Sequence, residues 1–170
     1  LKSVSYPDGS WVRYAYDAQG RTAKQISPWL DSPAGAAENA ARVTEYLYVS
    51  HDGSDTVADN DNRPRTVIEK IAGVEVSRTY HVYGRSSGDV FHIEEQAGSP
   101  GAAYGATGNL RTTTTYYGDT SDIASRGRIK SVTYPDGRQT NYSYSLNATA
   151  AEAFLVTTTT EGTMSSPAGV

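Results

Sequence analysis

Three histidines, His51, His81 and His92, and an acidic run, Asp52, Asp55, Asp59 and Asp61, are the side chains here best suited to chemistry. Histidine and carboxylate oxygens are metal ligands and general acids or bases. The spacing does not support either use. The histidines fall in three separate segments with no close pair, and no HExxH arrangement is present. An EF-hand loop needs Gly at its sixth position and Glu at its twelfth. Counted from Asp59 those positions hold Pro64 and Lys70, and from Asp55 they hold Asn60 and Thr66. The run therefore reads as a solvated hairpin loop. The neighbouring Glu94 and Glu95 point to opposite faces of a strand and cannot act on one bond. There is no G-x-S-x-G elbow, no Walker loop and no cysteine. The expectation is a chain that is not an enzyme and carries no metal, cofactor or catalytic residue.

The elements that would hold such residues are legible from composition. The 170 residues carry a formal net charge of −4, with no basic excess to draw a phosphate backbone, so nucleic acid is not expected as a partner. No apolar run approaches the roughly 18–20 residues of a membrane-spanning helix. Leu, Ile, Val and Phe total 27, low for a packed domain, but there are 13 Tyr, 19 Thr and 13 Val. These are strand formers, and a disordered chain would lack them. With 16 Gly and 7 Pro as punctuation, the composition predicts an all-β chain of many turns, about ten to twelve strands by the pattern.

The chain repeats itself. Residues 1–16, LKSVSYPDGSWVRYAY, and residues 129–144, IKSVTYPDGRQTNYSY, are identical at nine of sixteen positions without a gap. Alternation places Val4 and Tyr6 on one face of a strand, and Val12, Tyr14 and Tyr16 on one face of the next. Between them Tyr6-Pro7-Asp8-Gly9 has the chemistry of a type I turn ending in a left-handed glycine. Tyr134-Pro135-Asp136-Gly137 repeats the turn, and Tyr142 and Tyr144 repeat the tyrosine pair. A second turn follows the first copy: Asp17 caps it and Gly20 takes positive φ before Arg21. In the second copy Ser145 stands for Asp17 and the glycine is missing, so that turn is expected to differ.

The string Tyr-x-Tyr-Asp-x-x-Gly-Arg at 14–21 resembles the YD repeat of rearrangement-hotspot (Rhs) proteins. The run 127–144, from Gly127-Arg128 through its turn to its tyrosine pair, resembles the same repeat. The resemblance implies consecutive antiparallel β-hairpins in a twisted, spiralling sheet, part of a larger shell of the kind formed by Rhs effectors, shell components of Tc toxins and teneurins. It implies a secreted or cell-surface scaffold whose partners are neighbouring repeats of a parent chain and an enclosed toxin cargo. Leu1 aligns with Ile129, inside a repeat, so residues 1–170 are expected to be one sheet fragment of a longer protein, able to associate through its edge strands. No Asp-Pro-x-Gly core motif is present. The alternative is a glycan-binding or adhesion module using the sheet surface and loops, with Trp11 beside Arg13 as the glycan contact.

Along the rest of the chain, 22–27 and 43–49 read as strands and 28–42 as a surface insertion, with Trp29 plugging it to the sheet. The segment 50–64 is a polar loop. A hairpin runs through 65–83 with its turn at Ala72-Gly73, and 88–96 is a further strand. The small residues of 97–108 read as a flexible loop, and the four-Thr segments 109–117 and 154–161 as strands.

Overall fold

The computed structural model describes residues 2–51, 53–56, 61–118, 121–148 and 153–163. Asp52 and Asp59 of the acidic loop lie outside the described residues. Among the described residues, eleven antiparallel strands form one open sheet whose spatial order is the sequence order. They are β1 (Ser3–Ser5), β2 (Trp11–Tyr16), β3 (Thr22–Pro28), β4 (Ala41–Leu47), β5 (Thr66–Ile71), β6 (Val74–Ser86), β7 (Asp89–Gln96), β8 (Leu110–Tyr116), β9 (Ile129–Thr133), β10 (Arg138–Ala148) and β11 (Ala153–Thr163). A short 3-10 turn, Glu38–Ala40, is the one helical piece among the described residues. Contacts divide the chain into two compact units. The first comprises Leu1–His51, Val57–His81 and Glu95–Leu110, the second Asp52–Thr56, Val82–Glu94 and Arg111–Val170.

The two repeated hairpins adopt the expected turn. Gly9 N–H donates to Tyr6 C=O at 3.0 Å, and Gly137 N–H to Tyr134 C=O at 3.0 Å. The glycines have φ of 84° and 82°, the left-handed region that a side chain resists. The turn aspartates work alike: Asp8 Oδ1 accepts from Ser10 N–H at 3.0 Å, and Asp136 Oδ1 from Arg138 N–H at 3.1 Å. The pairing is the same residue for residue. Ser5↔Trp11, Val4↔Val12 and Ser3↔Arg13 in the first copy become Thr133↔Gln139, Val132↔Thr140 and Ser131↔Asn141 in the second.

Beyond the tyrosine pairs the copies part, as the missing aspartate and glycine require. The first chain turns at Asp17–Gly20, where Gly20 has φ of 79° and Gly20 N–H donates to Asp17 C=O at 3.0 Å. With no such turn residues, β10 runs on to Ala148 and pairs with β11 as far as Ala148↔Ala153.

The first unit has a core on one face of its sheet. Trp11, Ile26, Ala41 and Val43 cluster there, with Ala36 packed against them. The register forces this meeting, since Arg13↔Ile26 and Ile26↔Val43 put the odd residues of β2 on the face of Ile26 and Val43. The segment 28–42, expected to be a surface loop, covers that face instead. Ser32 C=O accepts from Trp11 Nε1 at 2.9 Å, Ala36 C=O from Arg13 Nη2 at 2.5 Å, and Glu38 Oε2 from Lys24 Nζ at 2.8 Å. A one-sheet unit needs such a cover to keep its apolar stripe from water. Trp29 is half-buried, with the Arg42 guanidinium 5.6 Å from its ring centre. The hairpin β5–β6 closes at Ala72-Gly73 as expected, with φ of 50° and 81°, the paired left-handed residues of a two-residue hairpin turn.

In the second unit the short segment before β9 is held by Asp122, which accepts from Ala124 N–H at 2.9 Å and from Ser125 Oγ at 2.5 Å. Ala124 and Ser125 are buried as a result.

A Cβ at Gly9 or Gly137 meets no neighbour within 4 Å, yet a valine there must adopt positive φ. Each substitution is therefore expected to cost about 1–3 kcal/mol. Gly35, which is exposed, has the same free space and carries no positive φ, so Gly35→Val should cost much less. Urea unfolding of the three variants checks this; equal losses would show that φ does not decide these turns.

Candidate functional site

The repeat residues form compact local structures. Asp17 accepts from Gln19 N–H at 3.0 Å, Arg21 N–H at 2.8 Å and Arg21 Nε at 2.7 Å. Desolvation pushes the Asp17 carboxyl up, but the Arg21 bonds outweigh it and hold its pKa below the ordinary value. The Arg21 guanidinium then lies 4.0 Å from the Tyr48 ring centre, and Tyr48 Oη donates to Thr22 C=O at 2.9 Å. The second Gly-Arg does the same with a different tyrosine: Arg128 lies 5.5 Å from the Tyr144 ring centre. Gly127 has φ of 69° and its N–H donates to Tyr117 C=O at 2.8 Å. Tyr117 packs edge-on to Tyr144 at 6.2 Å and donates its hydroxyl to Tyr142 C=O at 3.0 Å. Tyr14, Tyr134 and Tyr142 are half-buried, whereas Tyr6 and Tyr16 are exposed. Pro7 and Pro135 stand exposed at the turn tips. Alternation in 43–49 pairs Tyr48 with Tyr46 as a degenerate Tyr-x-Tyr; only its place across the sheet brings it under Arg21.

Trp11 corrects the expected glycan contact. Its ring is 2% exposed, in the core, with its indole N–H already bonded to Ser32 C=O. A sugar cannot reach it. The reason is the covering segment 28–42, whose path strand parity does not reveal.

A second correction concerns 97–108. The segment is not loose, because carboxylates of the sheet bind its amides. Gly101 N–H donates to Glu75 Oε1 at 2.6 Å and Gly105 N–H to Glu95 Oε1 at 2.6 Å. Asn109 Nδ2 also reaches Glu95 Oε1, at 2.6 Å, and Ala103 C=O, at 2.8 Å. Glu95 is 1% exposed, so these bonds meet the cost of its burial. Gly101, Gly105 and Gly108 all have positive φ and so serve as turn residues. Tyr104 of the segment stacks on His51 with ring centres 5.7 Å apart, and Tyr80, edge-on to both, donates its hydroxyl to Ala102 C=O at 2.6 Å. His51 Nε2 lies 2.7 Å from Arg65 C=O and 2.9 Å from Thr66 Oγ1. Arg65 and Thr66 are fully buried beside it. His92 stacks on Tyr83 at 4.7 Å with an interplanar angle of 4°. The acidic loop is internally bonded too: Asp61 accepts from Arg63 N–H at 2.8 Å and Arg63 Nε at 2.9 Å.

A depression in the second unit holds about 510 Å³ and is lined by Phe91, Ile93, Asp89, Thr113, Thr115 and serines 54, 86 and 87. Among the described residues, no helix is long and apolar enough to cross a membrane. Comparison with protein-family models, with curated proteins and with solved structures finds no match for this chain.

Two expectations follow. The lowered Asp17 pKa means its contribution to stability is present above the unfolded-state value near pH 4 and is lost as pH falls through the folded value. The stability gap between the native chain and Asp17→Asn should accordingly narrow as pH falls below the unfolded-state value near 4, as followed by urea unfolding from neutral to acid pH. Glu95→Ala leaves Gly105 N–H and the Asn109 amide short of an acceptor and should cost about 1–3 kcal/mol per orphaned group. Faster exchange of the Gly105 amide would accompany it; an unchanged rate would mean Glu95 does not hold the segment.

Proposed function

We propose that this chain is a structural segment of a large secreted or cell-surface YD-repeat protein, contributing β-sheet to a wall that encloses a toxin polypeptide. The observation that carries the reading is the pair of hairpins 128 residues apart that share turn, glycine conformation and pairing register. Residues that recur with their hairpins are spent on turn and pairing geometry. Asp8 and Asp136 bond their own turns. A unit that returns with the same geometry is a building element, and stacking such elements side by side extends one sheet. The resemblance of 14–21 and 127–144 to the Rhs repeat supplies the shell and the cargo.

The natural gene product carrying this sequence is expected to appear in negative-stain electron micrographs as a closed hollow particle. An internal polypeptide inside it should resist protease until the particle is denatured. A solid or extended particle, with every segment equally sensitive, would overturn the reading.

A further inference from the structure

The depression on the second unit has a composition that fits one ligand class. Asp89, Phe91 and Ile93 are alternate residues of β7 and so share a face, as do Thr113 and Thr115 of β8. The aromatic floor is held in place by a missing side chain. A Cβ on Gly84 of β6 would sit 2.3 Å from Phe91 Cζ and 2.4 Å from Ser54 C=O, so only glycine lets the ring settle there. Five residues that carry hydroxyls, Ser54, Ser86, Ser87, Thr113 and Thr115, complete its lining. The carboxylate of Asp89 adds a strong acceptor at one end, itself bonded to Lys130 Nζ at 2.7 Å.

From this lining we infer that the depression binds a neutral pyranose sugar, with the ring's C–H face on Phe91 and its hydroxyls on Asp89 and the threonines. The charges decide against ionic ligands. The one charged residue of the lining, Asp89, is already ion-paired to Lys130 at 2.7 Å, which disfavours a ligand held by charge alone. A purely apolar guest would leave the Asp89 carboxylate and the hydroxyl-bearing residues of the lining without an answering hydrogen bond. A pyranose answers both demands, with one apolar face and a rim of donors and acceptors. A depression of about 510 Å³ also falls in the range of small-ligand sites. The proposal is independent of the scaffold reading, which concerns the hairpins.

The test is saturation-transfer NMR of the native chain with glucose, galactose, mannose, fucose and N-acetylglucosamine, each at about 10 mM, a level suited to millimolar affinity. At least one sugar should receive saturation, strongest at the C–H protons of one ring face. Asp89→Asn should weaken that sugar about tenfold with the thermal midpoint held, as expected for loss of a charged acceptor. Gly84→Ala, which displaces Phe91, should abolish the signal; Thr115→Val provides a second reading if that variant fails to fold. No saturation of any of the five sugars would overturn the proposal. So would binding that Asp89→Asn and Thr115→Val both leave unchanged, and so would displacement of the sugar by an apolar peptide that binds the depression more tightly.

Discussion

A hydrogen bond of 3.0 Å from a glycine amide to a tyrosine carbonyl, closing the turns at 6–9 and 134–137, governs what the strands around it can do. It fixes the loop length, and with it the register of β1 on β2 and of β9 on β10. Register decides faces, because a slip of one residue moves every side chain to the opposite side of the sheet. With the register held, Trp11 shares the face of Ile26 and Val43 rather than that of Tyr14. The bond needs a backbone at φ near 80°, which glycine supplies without strain.

A single sheet with sequential pairing leaves two faces to be satisfied, and the first unit manages one of them with a connection. The segment 28–42 brings Ala36 onto the core and offers carbonyls to Trp11 and Arg13. The segment 97–108 does the reverse: the sheet supplies carboxylates and the connection supplies amides. In both, polar groups of irregular backbone are paired, which lets chain without regular structure lie against strands. The buried glutamate is tolerable only because its partners are fixed in place.

The open sheet also shows how the two copies of one hairpin come to differ in surroundings. The first is followed by a tight turn at Asp17–Gly20, the second by a strand that continues to Ala148. Each Gly-Arg arginine finds a tyrosine, but Tyr48 lies 27 residues beyond Arg21 and Tyr144 lies 16 beyond Arg128. A guanidinium over an aromatic ring is undemanding about which strand supplies the ring. The motif thereby keeps its contact while the connections vary.

The sequence by itself determined the all-β class, the positions of the hairpins and the conformation of their glycines. Turn chemistry and side-chain alternation are local, acting over two to four residues, so Tyr6-Pro7-Asp8-Gly9 or Ala72-Gly73 can be read without knowing the rest of the chain. What only the tertiary structure decided is which face is covered and by what. By strand parity Trp11 reads either as a sugar contact or as a ring packed on a neighbouring loop, and 28–42 decides it by folding over it; 97–108 reads as loose glycine-rich chain until Glu75 and Glu95 bind its amides. The depression around Phe91 was likewise hidden, because β6, β7, β8 and Ser54 each supply part of it. These outcomes rest on contacts between residues far apart in sequence, and no local pattern carries their energy.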